Sequence, residues 1–194
     1  YEKDHYYAMR AKDPETLSDI ERAARTLYLN KTCFNGLYRV NRRGQFNVPM
    51  GRYRAPVICD EEKLRAASLL FGRATITTGD YRAAIAGAQA GDFVYFDPPY
   101  QPISKTANFT SYTASGFGEP EQEALATVFK ELSDRGVFCM LSNSDTPFIQ
   151  GLYGDFEVDV VEAPRFISRK ASTRRPVNEV LVRNYPIADA SLRP

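Results

Sequence analysis

The chain is short of the residues that build covalent and metal frameworks. Its only histidine is His5, and its three cysteines, Cys33, Cys59 and Cys139, are scattered and odd in number. Neither a disulfide framework nor a zinc site fits that supply, so a reducing compartment and no bound metal are expected. Long apolar runs are missing too. The longest, Val137 to Leu141, falls far short of a membrane span, and Tyr1-Glu2-Lys3-Asp4 lacks signal-peptide character. The expectation is a soluble, cytoplasmic protein with no membrane partner. A surplus of one charge is also lacking: 25 Lys and Arg face 24 Asp and Glu. Attraction to nucleic acid must then come from where the charges sit along the chain.

What the chain does hold is enough apolar material for one substantial core, or for a core with a small insertion: 43% of its 194 residues are hydrophobic. It opens on Tyr rather than Met, in a charged and aromatic stretch without a structural start signal, so a segment upstream is expected. Behind Ser18, the apolar positions Ile20, Ala23, Ala24, Leu27 and Tyr28 follow helical spacing and predict a helix from Leu17 to about Asn30. Val40 to Val48 reads as two short extended arms around an Arg-Gly turn, closed by Pro49 and Gly51, and is a hairpin candidate. A helix from about Asp60 to Leu70, a strand at Thr75-Ile76-Thr77 and a short helix from Tyr81 to Ala88 follow. Beyond them, Phe93 to Phe96, Val137 to Leu141, Phe156 to Val161 and Val180 to Val182 read as strands, with a helix from Glu121 to Ser133. Apolar strands separated by helices predict an α/β architecture whose sheet is covered on both faces.

Open α/β sheets place ligand sites beyond the carboxyl ends of their strands, and Asp97-Pro98-Pro99-Tyr100 follows directly on Phe96. Two prolines fix both φ angles, hold the preceding residue extended and remove two N–H donors. Such a pair by itself merely ends a strand; the flanking Asp and Tyr point further. The exocyclic amine of adenine is a poor nucleophile because its lone pair is delocalised into the ring. A carboxylate and a free carbonyl that accept both amine hydrogens favour the pyramidal, more nucleophilic nitrogen, while a flat ring stacks on the base. Asp97, the Pro98 carbonyl and Tyr100 supply these parts, on a turn stiffened by Pro99.

Between Glu21 and Asp60 there is no acidic residue, where the average density of the chain would place about five. The same stretch carries Arg22, Arg25, Lys31, Arg39, Arg42, Arg43, Arg52 and Arg54, interleaved with Tyr28, Phe34, Tyr38, Phe46 and Tyr53. That mixture suits a surface that neutralises phosphates and stacks on or wedges apart bases, with Tyr28 read as core. An ordinary solvated face is the plainer alternative. Arg165, Arg169, Lys170, Arg174 and Arg175 form a second acid-free cluster, read either as a loop touching phosphate or as a plain exposed loop.

These residues together resemble the Dam-type DNA adenine-N6 methyltransferases, a family whose catalytic motif has the form of Asp97 to Tyr100. The resemblance spans nearly the whole chain. It includes Asn35-Gly36-Leu37-Tyr38-Arg39, Phe46-Asn47-Val48-Pro49, Ala107-Asn108-Phe109-Thr110-Ser111-Tyr112 and Leu141-Ser142-Asn143-Ser144-Asp145, in the order of the family. It implies a Rossmann-like methyltransferase sheet with an inserted small helical recognition domain carrying a β-hairpin. The recognition domain is placed at residues 10–71, with its hairpin at about 38–50, and the catalytic part at 72–194 together with 1–9.

The implied activity is methyl transfer from S-adenosylmethionine to N6 of a flipped-out adenine in double-stranded DNA, in GATC sites, by a monomeric bacterial or phage-encoded enzyme. Phe34 would wedge into the base stack, Asn35 support the opened site, Leu37 and Pro49 meet a thymine methyl, and Arg39 read a guanine edge, a pairing groove chemistry also suggests. Asn41, Arg43, Arg52 and Tyr53 are further DNA-contact candidates, and Asn108, Phe109 and Tyr112 would line the pocket of the flipped base. Asp80, Tyr81 and Asp97 fall on the cofactor side, although Asp80 also reads as a simple helix cap. Ser142 to Asp145 would form a pocket wall, or Ser144 and Asp145 would cap a helix starting near Pro147. The glycine-rich cofactor loop of the family has no counterpart among these residues, so residues 1–194 alone are expected to bind the cofactor poorly. Two other readings stand beside this one: a DNA-binding remnant without catalysis, and an N-methyltransferase acting on protein or RNA.

Overall fold

In the computed structural model, which describes residues 1–41, 43–103, 117–163 and 177–187, Ser18 starts a helix as its surroundings dictate. Its hydroxyl accepts from the Glu21 amide, and the Glu21 carboxylate accepts from the Ser18 amide at 3.0 Å, a reciprocal cap that satisfies two otherwise orphaned donors. The helix, α2 (Asp19–Thr32), packs against α1 (Lys3–Ala11). Tyr6 and Leu29 are buried together with Cys33, Phe46 and Val48 in one small core. Arg25, counted above in the basic run, is buried instead: it donates to the Met9 and Arg10 carbonyls at 2.9 and 2.8 Å, a cation closing the C-terminal end of α1. Phe46 likewise belongs to this core and not to a stacking surface, with the exposed Tyr38 edge-on against it.

The contacts divide the chain into two units, Tyr1–Thr78 and Gly79–Pro194. Residues 1–9, expected with the catalytic part, lie in the first, since Tyr6 is buried in its core and donates to the Val48 carbonyl at 2.9 Å. The hairpin expected between Val40 and Val48 is minimal: one antiparallel bridge joins Val40 to Phe46. Asn41 makes its tip, where its Oδ1 accepts from the Arg43 and Gln45 amides at 2.9 and 3.0 Å. The helix α3 (Glu61–Phe71) starts under an Asp60 cap. Thr75-Ile76-Thr77, expected as a strand, is irregular and exposed: β-branched residues form a strand only against a partner, and these have none among the described residues.

In the second unit, β1 (Phe93–Phe96) lies parallel to β2 (Phe138–Ser144), and α5 (Glu119–Asp134) belongs to the crossover that a parallel pair requires. Two further strands, β3 (Glu157–Ala163) and β4 (Val177–Arg183), add antiparallel neighbours in the order β1-β2-β4-β3. The helix α5 buries Leu125, Phe129 and Leu132 against Phe96, Leu141, Val180 and Val182, while α4 (Tyr81–Ile85) packs Tyr81 and Ile85 on the same cluster. Helices on both faces were expected. Among the described residues they share one cluster, and the alternate residues Phe93, Tyr95 and Phe138 remain about half exposed. A short helix, α6 (Pro147–Leu152), is capped by Thr146 and not by Ser144 or Asp145. No helix of the described residues is long and apolar enough to cross a membrane.

Candidate active site

Parallel pairing sets the carboxyl ends of β1 and β2 side by side, with Phe96 opposite Leu141. Asp97-Pro98-Pro99-Tyr100 leaves one strand where Ser142 and Asn143 close the other. Asp97 is exposed there, not turned into the core. Its carboxylate accepts from the Ser142 hydroxyl at 3.1 Å, and Ser142 accepts in turn from the Tyr95 hydroxyl at 2.8 Å. Tyr100 is half-buried, and burial pushes its hydroxyl pKa above the ordinary value, so the ring is neutral at physiological pH. No described residue donates to the Pro98 carbonyl, whereas the Pro99 carbonyl accepts from Gln122 at 2.8 Å. Of the two proline carbonyls, the one assigned to the substrate is the one with no donor among the described residues.

Gln122 escaped the sequence reading. It lies on the buried stripe Gln122, Leu125, Phe129 and Leu132 of α5, where a polar residue interrupts an apolar series. That interruption was the available signal, since a fully buried amide must find partners.

Asp80 and Tyr81 stand at the start of α4. The Asp80 carboxylate caps the helix by accepting from the Arg82 amide at 2.8 Å and pairs with the Arg82 guanidinium at 3.3 Å, yet stays 60% exposed. Tyr81 lies edge-on to Phe96, its hydroxyl is buried with no partner among the described residues, and burial raises its pKa. The cap reading of Asp80 therefore holds, and the exposed carboxylate beside a half-buried ring remains fit for an adenine amine and ring face.

In the first unit, Phe34 is 49% exposed and opens a tight turn in which Asn35 and Gly36 both take left-handed backbone angles, with φ of 55° and 62°. The Phe34 amide donates to the Pro49 carbonyl at 2.9 Å, so the wedge candidate and the exposed Pro49 are tied together. Leu37 is half-buried against the core. Arg39 is exposed but held: its Nε donates to Asn47 Oδ1 at 2.6 Å and its Nη2 to the Asn47 carbonyl at 3.2 Å. Tyr53 donates to the Cys33 carbonyl at 3.0 Å and leaves no room for a side chain at Gly51, whose Cβ would fall 2.8 Å from the same carbonyl. Asn41, Arg43 and Arg52 are exposed. Arg42, Asn108, Phe109, Tyr112 and the second basic cluster lie outside the described residues, and among the described residues no group of His, Cys, Asp or Glu could hold a metal.

A strand-end turn with an exposed carboxylate beside a half-buried ring, on a four-stranded mixed sheet, defines the class: a mixed α/β protein with a candidate site at the carboxyl ends of its parallel strands. Comparison with known proteins specifies it. Residues 1–167 match the family model of the D12 class N6 adenine-specific DNA methyltransferases, and the chain belongs to that family. A Type II methyltransferase of Lactococcus lactis subsp. cremoris is 46% identical over 189 residues, covering 94% of this chain and 66% of that protein. The DNA adenine methylase of Serratia marcescens is 41% identical, covering 92% of this chain and 66% of the relative, and that of Escherichia coli K12 is 36% identical, covering 93% and 65%. The chain thus spans just under two thirds of the length of these relatives.

Proposed function

We propose that the protein methylates N6 of adenine in double-stranded DNA, with S-adenosylmethionine as donor and GATC as the site. The observation that supports this reading is an exposed, hydrogen-bonded Asp97 carboxylate next to a Pro98 carbonyl that accepts from no described residue, on a turn that two prolines stiffen. When bound, the donor supplies an electrophilic methyl group on a sulfonium; Asp80 and Tyr81 fit its adenine end by chemistry, with Asp97 on the same side. The two acceptors of the turn take the two hydrogens of the adenine amine and draw its lone pair out of the ring. Tyr100 stacks on the base and keeps the nitrogen in line. As the new N–C bond forms, the methyl–sulfur bond of the donor would break with its electron pair left on sulfur, which departs as a neutral thioether, and one amine proton is released to water.

Adenine inside a duplex is out of reach of such a turn, so the base is flipped out. Residues 10–71 serve as the recognition domain in this reading, with Phe34 filling the vacated stack, Asn35 supporting it, and Leu37 and Pro49 against a thymine methyl. Arg39 reads guanine, Asn41, Arg43, Arg52 and Tyr53 contact the DNA around it, and Asn108, Phe109 and Tyr112 line the pocket. The test is transfer of labelled methyl from S-adenosylmethionine by the complete protein to a GATC duplex and to one with the site scrambled. Label recovered as N6-methyladenine in the first alone is expected. Label on cytosine or protein, or on neither duplex, overturns the reading.

A further inference from the structure

Gln122 and Asn143 are both fully buried, and they join two points of the proline turn through a single chain of hydrogen bonds. Asn143 Oδ1 accepts from the Gln101 amide and from the Ser144 amide, each at 2.9 Å. Asn143 Nδ2 donates to Gln122 Oε1 at 3.1 Å, and Gln122 Nε2 donates to the Pro99 carbonyl at 2.8 Å. The chain has one polarity. A backbone N–H at one end and a backbone carbonyl at the other dictate which atom of each carboxamide faces which neighbour. Reversing either one would set acceptor against acceptor where no water reaches.

The turn needs such a hold from outside. Pro98 and Pro99 have no N–H to anchor, and their rings lock φ, so the remaining freedom lies in ψ, which swings each carbonyl. Binding the Pro99 carbonyl removes that freedom at one residue, and binding the Gln101 amide removes it just beyond Tyr100. We propose that the Gln122–Asn143 pair is the positioning device of the turn: it turns the Pro99 carbonyl inward, which keeps the Pro98 carbonyl and the Asp97 carboxylate aimed at one amine. This rests on the adenine methyltransferase reading above. Gln122 is a positioning residue, acting through the backbone of residues that touch the substrate.

A purely structural glutamine would cost stability when replaced and leave the folded enzyme its rate. The two roles separate in the complete protein carrying Gln122→Met or Gln122→Glu, assayed by single-turnover methylation of duplex DNA and by exchange of the Gln101 amide in NMR. Gln122→Met removes both hydrogen bonds at nearly constant volume. It is expected to lower the transfer rate by about 30- to 100-fold, the scale of a misplacement near 1 Å, with little change in KM for DNA. Gln101 exchange is expected to quicken at least about tenfold, because a hydrogen bond loosened by ~1.4 kcal/mol opens ten times as often. Gln122→Glu rebuilds the chain only while its carboxyl is protonated and can donate to Pro99; its rate relative to the unsubstituted protein therefore rises as pH falls. A folded Gln122→Met protein with the original rate, a rate loss matched by a KM rise, or a pH-independent Gln122→Glu ratio overturns the proposal. Failure of the methyltransferase reading looks different: the unsubstituted protein labels no DNA, and unchanged Gln101 exchange in Gln122→Met then decides against the hold on its own.

Discussion

Ser142 gives its single hydroxyl proton to the Asp97 carboxylate at 3.1 Å and takes one from Tyr95 at 2.8 Å. The three residues sit on adjacent ends of β1 and β2, so the sheet orients the carboxylate before any substrate arrives. Ser142→Ala leaves the Asp97 side chain freer to rotate, while the hydroxyl of the half-exposed Tyr95 turns to water. A fall in single-turnover methylation of about fivefold to tenfold is expected, the scale of one hydrogen bond at ~1 kcal/mol. Asp97→Asn removes the acceptor itself, and a loss of about a hundredfold to a thousandfold is expected in the same assay. Equal rates for Ser142→Ala and the unsubstituted protein would show that the carboxylate needs no such support.

Arg39 is preorganised by Asn47, which accepts from its Nε and Nη2, while its Nη1 has no acceptor among the described residues. Arg39→Ala is expected to relax preference at one guanine by roughly 1–3 kcal/mol, and Asn47→Ala to relax it at the same base pair by about 1 kcal/mol. Arg43→Ala should weaken all sequences alike and reduce the salt dependence of binding by about one ion. Titrating duplexes that each carry one changed base pair distinguishes these outcomes; uniform losses for Arg39→Ala and Asn47→Ala would remove both from base reading.

Phe34 exposes about half its surface on a tight turn that contains two left-handed residues. Replacing it with Ala creates no cavity in the core, so the unfolding midpoint should barely move. With 2-aminopurine at the target adenine, the fluorescence rise on binding is expected to fall several-fold, because nothing fills the vacated stack. An undiminished rise would assign the wedge to another side chain.

Burial pushes the Tyr6 hydroxyl from its ordinary value of 10.0 up to about 12. The unfolded chain therefore ionises first as pH rises. The stability contributed by neutral Tyr6 is complete below about pH 10 and is lost progressively as pH climbs toward 12. Tyr6→Phe gives up the bond to the Val48 carbonyl and should lower stability at pH 7 by about 1 kcal/mol, yet flatten the alkaline decline. Urea unfolding at pH 7, 10 and 11 reads both effects; parallel declines in the two proteins would place the alkaline transition on another group.

The helices were legible where their signals are local. Ser18 with Glu21, and Asp60 before its helix, act within one turn, and the buried stripe Leu125, Phe129, Leu132 repeats at helical spacing. What failed depended on distant partners. Thr75 to Thr77 has strand chemistry and, among the described residues, no strand beside it, and the half-exposed face carrying Phe93 and Phe138 cannot be told from a covered one by composition. Arg25 looked like one more surface cation because the carbonyls it meets belong to residues 9 and 10.

The order of residues alone determined the caps, the strand-end position of Asp97 and the chemical identity of the groups on the proline turn, since φ restriction, capping and side-chain type act over a few bonds. Only the tertiary structure decided which carbonyl of that turn is bound from outside and which polar residues hold it. Those choices are made by Gln122 and Asn143, more than twenty and forty residues away along the chain. Parallel pairing of two strands and the packing of one helix bring them within hydrogen-bond reach.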